Sequence, residues 1–382
     1  MELTSRQSRT GDADGVYRIT APSFSAASLY WSYGVQIAEE WTALAHFPLN
    51  EEGNGVYVHG GGQHIPDGIT HVAAVLKDAD GNTQTVYVPV SVKENIQTID
   101  GVRFCVMSDL HLSAKSGRIH RALRLGQNAD CVLLVGDMTN DGSGVQLREF
   151  AKWIDEELNG VPVLCVTGNH DYPRWPIPLI PCEEIEDYPS FQRWILRRAR
   201  TLGVQTEETA CGAYRAWVKG VPVIGLNAVS HFRTFVFQRG EQLACLEKWL
   251  AESDGRSIVM CHAPLLSHNP VRTKETHPAY LSRDKELQEI LDQMGNCIFL
   301  SGHTHISAND DAECLQTDDG HGNLYINDSS VTRTMMVRGA ASPDAEWLDG
   351  AVIHLTVDGA HMSLTGQCIS SQKYISRAHY RF

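Results

Sequence analysis

The chain reads RFCVMSDLHL over residues 103–112 and CVLLVGDMTN over residues 131–140. In each stretch a short apolar run ends in a polar cluster, which is typical of a strand buried on both faces of a parallel sheet. Comparable runs follow farther along the chain, over residues 161–166, 221–226, 257–261 and 297–300. Apolar residues at helical spacing lie between some of them, as from Leu147 to Leu158. This alternation predicts an α/β domain, which three later runs extend with strands over residues 324–326, 351–357 and 362–367.

The segment before this domain is patterned differently. Between residues 14 and 95, short apolar or alternating runs are separated by Gly, Asn, Asp and Pro, as in strands joined by turns. A length of 382 residues also suggests two domains rather than one core. We therefore predict a small all-β sandwich of the immunoglobulin or fibronectin kind over residues 1–95 and the α/β domain over residues 96–382. The sandwich could bind a partner, shape a neighbouring cleft or join two copies of the chain into a homo-oligomer.

Charge and composition limit what the chain can bind. Its formal net charge is −14 at pH 7, which disfavours nucleic acid polymers and anionic membranes, because Lys and Arg hold those polyanions. No apolar run approaches the roughly 18 residues of a membrane-spanning helix. The opening residues lack the apolar core of a signal peptide, and 10 cysteines in this length are too sparse for a disulfide scaffold. We expect a cytoplasmic protein with no membrane partner.

Five polar clusters that follow predicted strands are the candidates for a functional site. They are Ser108-Asp109-Leu110-His111, Gly136-Asp137-Met138-Thr139-Asn140, Gly168-Asn169-His170-Asp171, Cys261-His262-Ala263-Pro264 and Gly302-His303-Thr304-His305. In open α/β sheets, the loops beyond the carboxyl ends of the strands surround one crevice. Asp109 and His111 are two residues apart and therefore lie on the same face of an extended segment, as do His303 and His305. The clusters are thus predicted to meet in one pocket.

The side chains of these clusters have the chemistry of a metal site. Carboxylate, amide and imidazole groups suit divalent first-row metals, and these clusters contain more of them than one ion can use. We therefore predict two ions, with Asp137 as the shared ligand because a carboxylate can bond both. The other expected ligands are Asp109, His111 and His305 for one ion, and Asn169, His262 and His303 for the second.

Such a centre predicts hydrolysis of a phosphoester. Two ions about 3.5–4 Å apart would lower the pKa of a bridging water and bind the phosphoryl oxygens during in-line attack. The expected nucleophile is then a metal-bridging hydroxide rather than a side chain. His170 remains after the ligands are assigned, and we predict that it acts as the general acid, with Asp171 fixing its tautomer.

Taken in this order, the five clusters resemble the signature of the calcineurin-like metallophosphoesterase family over roughly residues 100–330. The resemblance implies a four-layer α/β/β/α sandwich, a dinuclear centre of Mn, Fe or Zn, and the same ligand roles. Purple acid phosphatases of this family carry a Tyr ligand where this chain has Asn140, and Ser/Thr protein phosphatases have Asp-Arg-Gly where it reads Asn140-Asp141-Gly142. The motifs are most similar to those of the bacterial cyclic-nucleotide-type phosphodiesterases.

The sequence leaves several functions open. We expect a phosphodiesterase that acts on a small diester, and a phosphomonoesterase is the nearest alternative because the same centre serves both reactions. A nuclease is disfavoured by the acidic charge. An inactive scaffold should have lost ligands, whereas every predicted ligand position, and His170, has a competent residue. Further candidates for substrate contacts are Tyr172, Arg174, Trp175, Arg272 and Lys274, with a surface loop as the alternative.

Overall fold

A computed structural model of the chain describes residues 2–7, 15–32, 37, 43, 45–58, 71–89, 101–112, 117–172, 185–231, 234–237, 240–253, 255–268, 280–305, 315–317, 321–332, 350–359, 361–370, 372 and 374–381. The chain divides into two compact units, Met1–Ile99 with Ser376–Tyr380, and Asp100–Ile375 with Arg381–Phe382. The predicted domain boundary after residue 95 lies outside the described residues, as do Arg174, Trp175, Arg272 and Lys274.

The described part of the first unit consists of strands joined by turns. The strands are β1 (Glu2–Gln7), β2 (Gly15–Thr20), β3 (Ala26–Ser32), β4 (Ala45–Pro48), β5 (Asn54–Val58), β6 (His71–Lys77) and β7 (Thr83–Pro89). They form two antiparallel sheets, β1-β2-β5 and β4-β3-β6-β7. Alternate residues of β3 and β6, among them Leu29 and Leu76, are buried in the core of this unit. The immunoglobulin or fibronectin arrangement and the homo-oligomer stay predictions.

The second unit alternates strands with helices. Its helices are α1 (Gly117–Leu125), α2 (Gly144–Glu157), α3 (Tyr188–Thr201), α4 (Glu241–Ala251) and α5 (Asp284–Met294), with a 3₁₀ turn at Leu266–His268. Its strands are β8 (Val102–Met107), β9 (Cys131–Val135), β10 (Val163–Val166), β11 (Gln205–Glu208), β12 (Tyr214–Val218), β13 (Val221–Gly225), β14 (Ala228–His231), β15 (Thr234–Phe237), β16 (Ser257–Met260), β17 (Tyr280–Leu281), β18 (Cys297–Ser301), β19 (Leu315–Thr317), β20 (Leu324–Asn327), β21 (Ala351–Val357) and β22 (His361–Cys368). The last strand of the chain, β23, spans Tyr374–Arg381.

Two mixed sheets form the body of the second unit. One contains the run β10-β9-β8-β21-β22, in which β8, β9 and β10 are parallel, and the other has the order β11-β12-β13-β16-β18-β20-β19, in which β13, β16, β18 and β20 are parallel. Every residue of β9 and β18 is buried, as predicted for strands covered on both faces. The predicted α/β class is thus confirmed, and so are the late strands β20, β21 and β22.

Each sheet has its own helices and its own core. Apolar residues of α1, α2 and α3, such as Leu123, Phe150 and Phe191, pack with β8, β9 and β10. Residues of α4 and α5, such as Leu246 and Leu291, pack with β13, β16 and β18. The stacking of all four layers stays a prediction. Among the described residues, no helix combines the length and the apolar character needed to cross a membrane.

Local capping fixes where the helices near the polar loops begin. The Ser143 side chain accepts a hydrogen bond from the Gln146 N–H and starts α2. At α3, Asp187 and Ser190 form a reciprocal capping box. Such caps satisfy N–H groups that have no partner inside the helix. The loop that carries Asp137 therefore ends at a defined residue.

Candidate metal centre

The five predicted clusters all lie at the carboxyl ends of strands β8, β9, β10, β16 and β18. Their carboxylate and imidazole atoms form three groups, in each of which the ligand atoms lie within 4.8 Å of one another. The groups are Asp109 with His111 and His305, His111 with Asp137 and His170, and Asp137 with His262 and His303. The first and third groups share no residue, and the second contains one member of each. The structure thus brings six predicted ligands and His170 together.

In the first group, three ligand atoms lie within 3.8 Å of one another. His305 Nε2 lies 3.0 Å from Asp109 Oδ1 and 3.1 Å from His111 Nε2, and His111 Nε2 lies 3.8 Å from Asp109 Oδ1. Ligand atoms bound to one ion at about 2.1 Å lie roughly 3.0–3.4 Å from each other. The separations in this group are close to that range, so these side chains fit a metal ion with little movement.

The third group is built around Asp137. Its Oδ2 atom lies 3.3 Å from His262 Nε2 and 3.8 Å from His111 Nε2, so Asp137 reaches both groups. Asn169, the seventh predicted ligand, joins this side because its Oδ1 lies 2.9 Å from His303 Nδ1. That separation suits a hydrogen bond, and it is also close to the separation of two ligands on one ion.

Two buried atoms of the cluster are suited to bind a metal cation. Asp109 Oδ1 and His262 Nε2 are inaccessible to solvent and make no well-oriented hydrogen bond within the described part of the chain. Leaving such an atom unpaired costs about 1–3 kcal/mol, and more when it is charged. Both are oxygen or nitrogen donors of the kind that first-row metals bind. The residues present therefore fit a metal ion.

The electrostatics of the cluster also favour a cation. Burial alone would lower the pKa of His262, but the negative charge of Asp137 outweighs burial and raises it to about 10. Conversely, burial would raise the pKa of Asp137, but the charge of His262 holds it at about 2. Burial and the charge of His262 lower the pKa of His303 to about 3. Without a metal, a proton on His262 therefore supplies the positive charge that the buried carboxylates require.

Metal uptake is consequently expected to release a proton from His262. Because the pKa of His262 is raised to about 10, this proton is bound throughout the neutral range and must leave before Nε2 can coordinate an ion. Apparent Mn²⁺ affinity should fall about tenfold for each unit by which the pH is lowered, per proton released. Calorimetric titration at pH 7 and 8, in buffers of different ionisation enthalpy, measures the Mn²⁺ affinity and the number of protons released. An affinity that does not change between these pH values would contradict this account.

The ligand-bearing backbone is held in an unusual conformation. Asp109, His111, Asp137, His303 and His305 have φ angles of +53°, +45°, +51°, +70° and +55°. Left-handed conformations cost a non-glycine residue on the order of 1–3 kcal/mol and cluster at functional sites. Backbone hydrogen bonds support two of these residues, from Asp109 N to Gly136 O at 3.1 Å and from His111 N to Asp137 O at 2.9 Å.

Gly168 allows the loop after β10 to approach Asp137. A Cβ atom at this position would lie 2.1 Å from Asp137 Oδ1 and 2.2 Å from the Asp137 backbone nitrogen. We expect Gly168→Ala to displace Asp137 and to lower metal affinity by at least ~10–100-fold, the effect of losing a partner that orients a ligand. Equilibrium dialysis against Mn²⁺ measures this. Gly255→Ala is the matched control, since a Cβ there meets nothing within 4 Å, and equal losses in both variants would count against the steric explanation.

His170 lies at the edge of the cluster with one ring nitrogen occupied. Its backbone N–H donates to Asp137 Oδ1 at 2.7 Å, and its ring Nδ1 lies 2.9 Å from the Asn140 carbonyl oxygen. A carbonyl oxygen only accepts, so Nδ1 carries a proton and Nε2 is the nitrogen that can exchange one. The His170 ring also stands edge-on to the ring of His111, with 4.7 Å between their centres.

The expectation that Asp171 fixes the tautomer of His170 is corrected by this geometry. The Asp171 carboxylate is buried and accepts from Thr139 N at 2.9 Å, Thr139 Oγ1 at 3.0 Å and Gly168 N at 2.8 Å. Burial and the nearby charge of Asp137 raise the pKa of Asp171 to about 6. The tight turn after Gly168 directs Asp171 inward, so Asp171 holds the loop while Asn140 orients His170.

Asn227 is a buried residue near the centre that the sequence analysis missed. It follows β13, and its Oδ1 accepts from Thr167 N at 3.0 Å and from Tyr188 OH at 3.1 Å. Its Nδ2 donates to Gly212 O at 2.7 Å. Asn227 thereby ties the loop that carries Asn169 to the end of a strand in the other sheet. The available signal was its place directly after a predicted strand, as in the five clusters.

Comparisons with known proteins agree with this geometry. The model of a family described as calcineurin-like phosphoesterase matches residues 102–307, a range that includes all the predicted ligands. A probable cyclic nucleotide phosphodiesterase of Synechococcus sp. is 26% identical over 182 residues, which are 47% of this chain and 59% of that protein. A zebrafish (Danio rerio) transmembrane protein with a metallophosphoesterase domain is 33% identical over 110 residues, 27% of this chain and 25% of that protein. The chain thus spans less than two thirds of either relative.

A solved structure is similar in fold. The purple acid phosphatase from yellow lupin (Lupinus luteus) seeds aligns with 99% of this chain and 74% of its own, with a TM-score of 0.50 and 13% sequence identity. At this identity the likeness concerns the fold alone. It does not imply a Tyr ligand in this chain, because the position at which purple acid phosphatases carry that Tyr is Asn140 here.

Proposed function

Because the chain belongs to the calcineurin-like phosphoesterase family, we propose that it hydrolyses a small phosphodiester with the help of two bound metal ions. The observation that carries the proposal is the pair of ligand groups that Asp137 connects. The choice of a diester is supported by the motifs after β8, β9 and β16, and by the similarity to a probable cyclic nucleotide phosphodiesterase.

The proposed ligand sets are those of the sequence analysis. Asp109, His111 and His305 would hold one ion, Asn169, His262 and His303 would hold the other, and Asp137 would bond both. Bound ions of this kind make water a strong nucleophile at neutral pH and neutralise charge on the phosphoryl oxygens. Mn, Fe and Zn all suit these donors.

Hydrogen bonds within the chain would orient the ligands. His262 Nδ1 lies 2.7 Å from the Val135 carbonyl oxygen, so Nδ1 donates to it and the Nε2 lone pair points to the centre. Ser108 Oγ donates to Asp109 Oδ2 at 2.6 Å, and His303 N donates to the same atom at 3.0 Å. These contacts turn Asp109 Oδ1 toward the imidazoles of the first group.

In this proposal His170 protonates the leaving oxygen. Its Nδ1–H bond to the Asn140 carbonyl oxygen holds the ring and leaves Nε2 as the nitrogen that can carry the transferable proton. A proton on Nε2 is then available for the departing alcohol, whose release would otherwise leave an alkoxide. The backbone bond from His170 N to Asp137 Oδ1 keeps the ring beside the ligands.

The proposal is tested by comparing two chromogenic substrates. Purified protein loaded with Mn²⁺ should hydrolyse bis-p-nitrophenyl phosphate in preference to p-nitrophenyl phosphate, and a chelated sample should hydrolyse neither. A preference for the monoester would replace the phosphodiesterase with a phosphomonoesterase. The absence of metal-dependent activity on both substrates would contradict the proposal and favour the inactive scaffold.

A further inference from the structure

Two hydroxyl groups from the segment that follows β20 bind the backbone of Asp109. Ser330 Oγ donates to the Asp109 carbonyl oxygen at 3.2 Å, and Thr332 Oγ1 donates to the same oxygen at 3.0 Å. Ser330 is fully buried, and Thr332 is half-buried. We refer to Ser330 Oγ and Thr332 Oγ1 as the hydroxyl pair.

The segment that carries the hydroxyl pair is attached to two ligand-bearing loops. Val331 N donates to Ser108 O at 3.0 Å, beside Asp109. At the other end of the segment, Asp328 N donates to Ser301 O at 2.8 Å, and Asn327 Oδ1 accepts from Thr304 Oγ1. This segment follows β20 and lies beyond residues 102–307, which the family model matches. Its contribution to the centre is therefore not contained in the five clusters.

The conformation of Asp109 explains why such support matters. With φ at +53°, Asp109 is in a region that L-residues leave readily unless surrounding contacts hold them there. Its Oδ2 already accepts from Ser108 Oγ and His303 N. With the carbonyl oxygen also held, the remaining oxygen, Oδ1, faces His305 Nε2 at 3.0 Å.

We propose that Ser330 and Thr332 are positioning residues, which hold Asp109 in its left-handed conformation and thereby set the affinity of the ion bound by Asp109, His111 and His305. This inference rests on the proposed function, because it takes Asp109 as a metal ligand. The ion on the side of His262 and His303 has no proposed ligand in Asp109, and Asp109 reaches that side through the hydrogen bond from His303 N to its Oδ2. The loss of the hydroxyl pair therefore has an unequal effect on the two ions.

The test is a calorimetric titration of metal-free protein with Mn²⁺. Wild type should bind two ions. The double variant Ser330→Ala/Thr332→Val, which removes both donors and keeps most of the side-chain volume, should bind the ion of Asp109, His111 and His305 ~10–100-fold more weakly. The other ion should show a clearly smaller loss of affinity. The isotherm of the double variant should approach that of the His305→Ala variant. Because His305 is a proposed ligand of the affected ion, that variant identifies which of the two sites is weakened. Thr332→Ser, which keeps a hydroxyl, should retain most of the affinity.

Ser329→Ala is the matched control. Ser329 is buried in the same segment, but its Oγ has no hydrogen-bond partner among the described residues. This variant should bind both ions as wild type does. If the double variant fails to fold, as judged by circular dichroism of the metal-free protein, the single variant Thr332→Val provides the test, since Thr332 is only half-buried.

The outcomes separate this inference from the function on which it rests. Equal affinities in wild type and the variants would overturn the positioning role and leave the metal centre intact. Equal weakening of both ions would also overturn it, since that result reports general destabilisation. A wild-type protein that binds no Mn²⁺ would instead remove the proposed function, and with it the inference.

Discussion

Replacing Asp137 with Ala is expected to abolish the binding of both metal ions and, as a consequence, turnover. Asp137 Oδ2 lies 3.8 Å from His111 Nε2 and 3.3 Å from His262 Nε2, so each ion would lose a ligand. Each affinity should fall by more than the ~10–100-fold that follows the loss of an outer hydrogen-bond partner. Equilibrium dialysis with Mn²⁺ and the rate of bis-p-nitrophenyl phosphate hydrolysis measure the two effects.

The matched control for this variant is Asp141→Ala. Asp141 lies on the same loop but is exposed, and its Oδ1 accepts from Ser143 N at 3.0 Å rather than facing the cluster. This control should bind both ions and keep its activity. An Asp137→Ala protein that still binds one ion with wild-type affinity would show that Asp137 is not shared between the two ions.

Replacing His170 with Ala should slow hydrolysis while both ions remain bound. The side chain is proposed to donate a proton rather than to bind metal, and the loss of a general acid typically costs 10²–10⁴-fold in rate. The loss should be large for a diester with an alkyl leaving group and small for p-nitrophenolate, which departs without a proton. The rates for the two leaving groups, together with the metal content, test this prediction.

Two results would contradict this role of His170. Full activity of His170→Ala on the alkyl diester would remove the general acid. Loss of an ion would instead make His170 a ligand, which its grouping with His111 and Asp137 within 4.8 Å makes a real alternative. Asn140 cannot be tested in the same way, because it orients His170 through its backbone carbonyl.

The parallel strands of the second unit were predictable because their signal is local. β9 is a run of five apolar residues. Such a run indicates a strand that is buried on both faces of a sheet. β11 was missed for the opposite reason. The β11 sequence is QTEE, with no buried residue, and it forms an edge strand through its pairing with β12. Its conformation depends on a neighbour rather than on its own pattern.

For single residues of the site, too, a local sequence pattern was sufficient only where the residue's position did not depend on contacts with distant segments. Asp109 and His111 could be found because they directly follow an apolar strand. Their φ angles of +53° and +45° show that they do not lie on one extended segment, as their spacing had suggested. Asp171 was assigned to its sequence neighbour His170, but the turn at Gly168 places its carboxylate on Thr139. Asn227 and Ser330 act through contacts between segments that are distant in the sequence. No sequence motif indicates such contacts.

The central claim is that these side chains hold two metal ions connected by Asp137. It is tested most directly by a crystal structure of the Mn²⁺-loaded protein, with anomalous difference maps recorded at the manganese edge. The account predicts two peaks about 3.5–4 Å apart, one beside Asp109, His111 and His305 and the other beside Asn169, His262 and His303, with Asp137 between them. A single peak, or peaks away from Asp137, would contradict it.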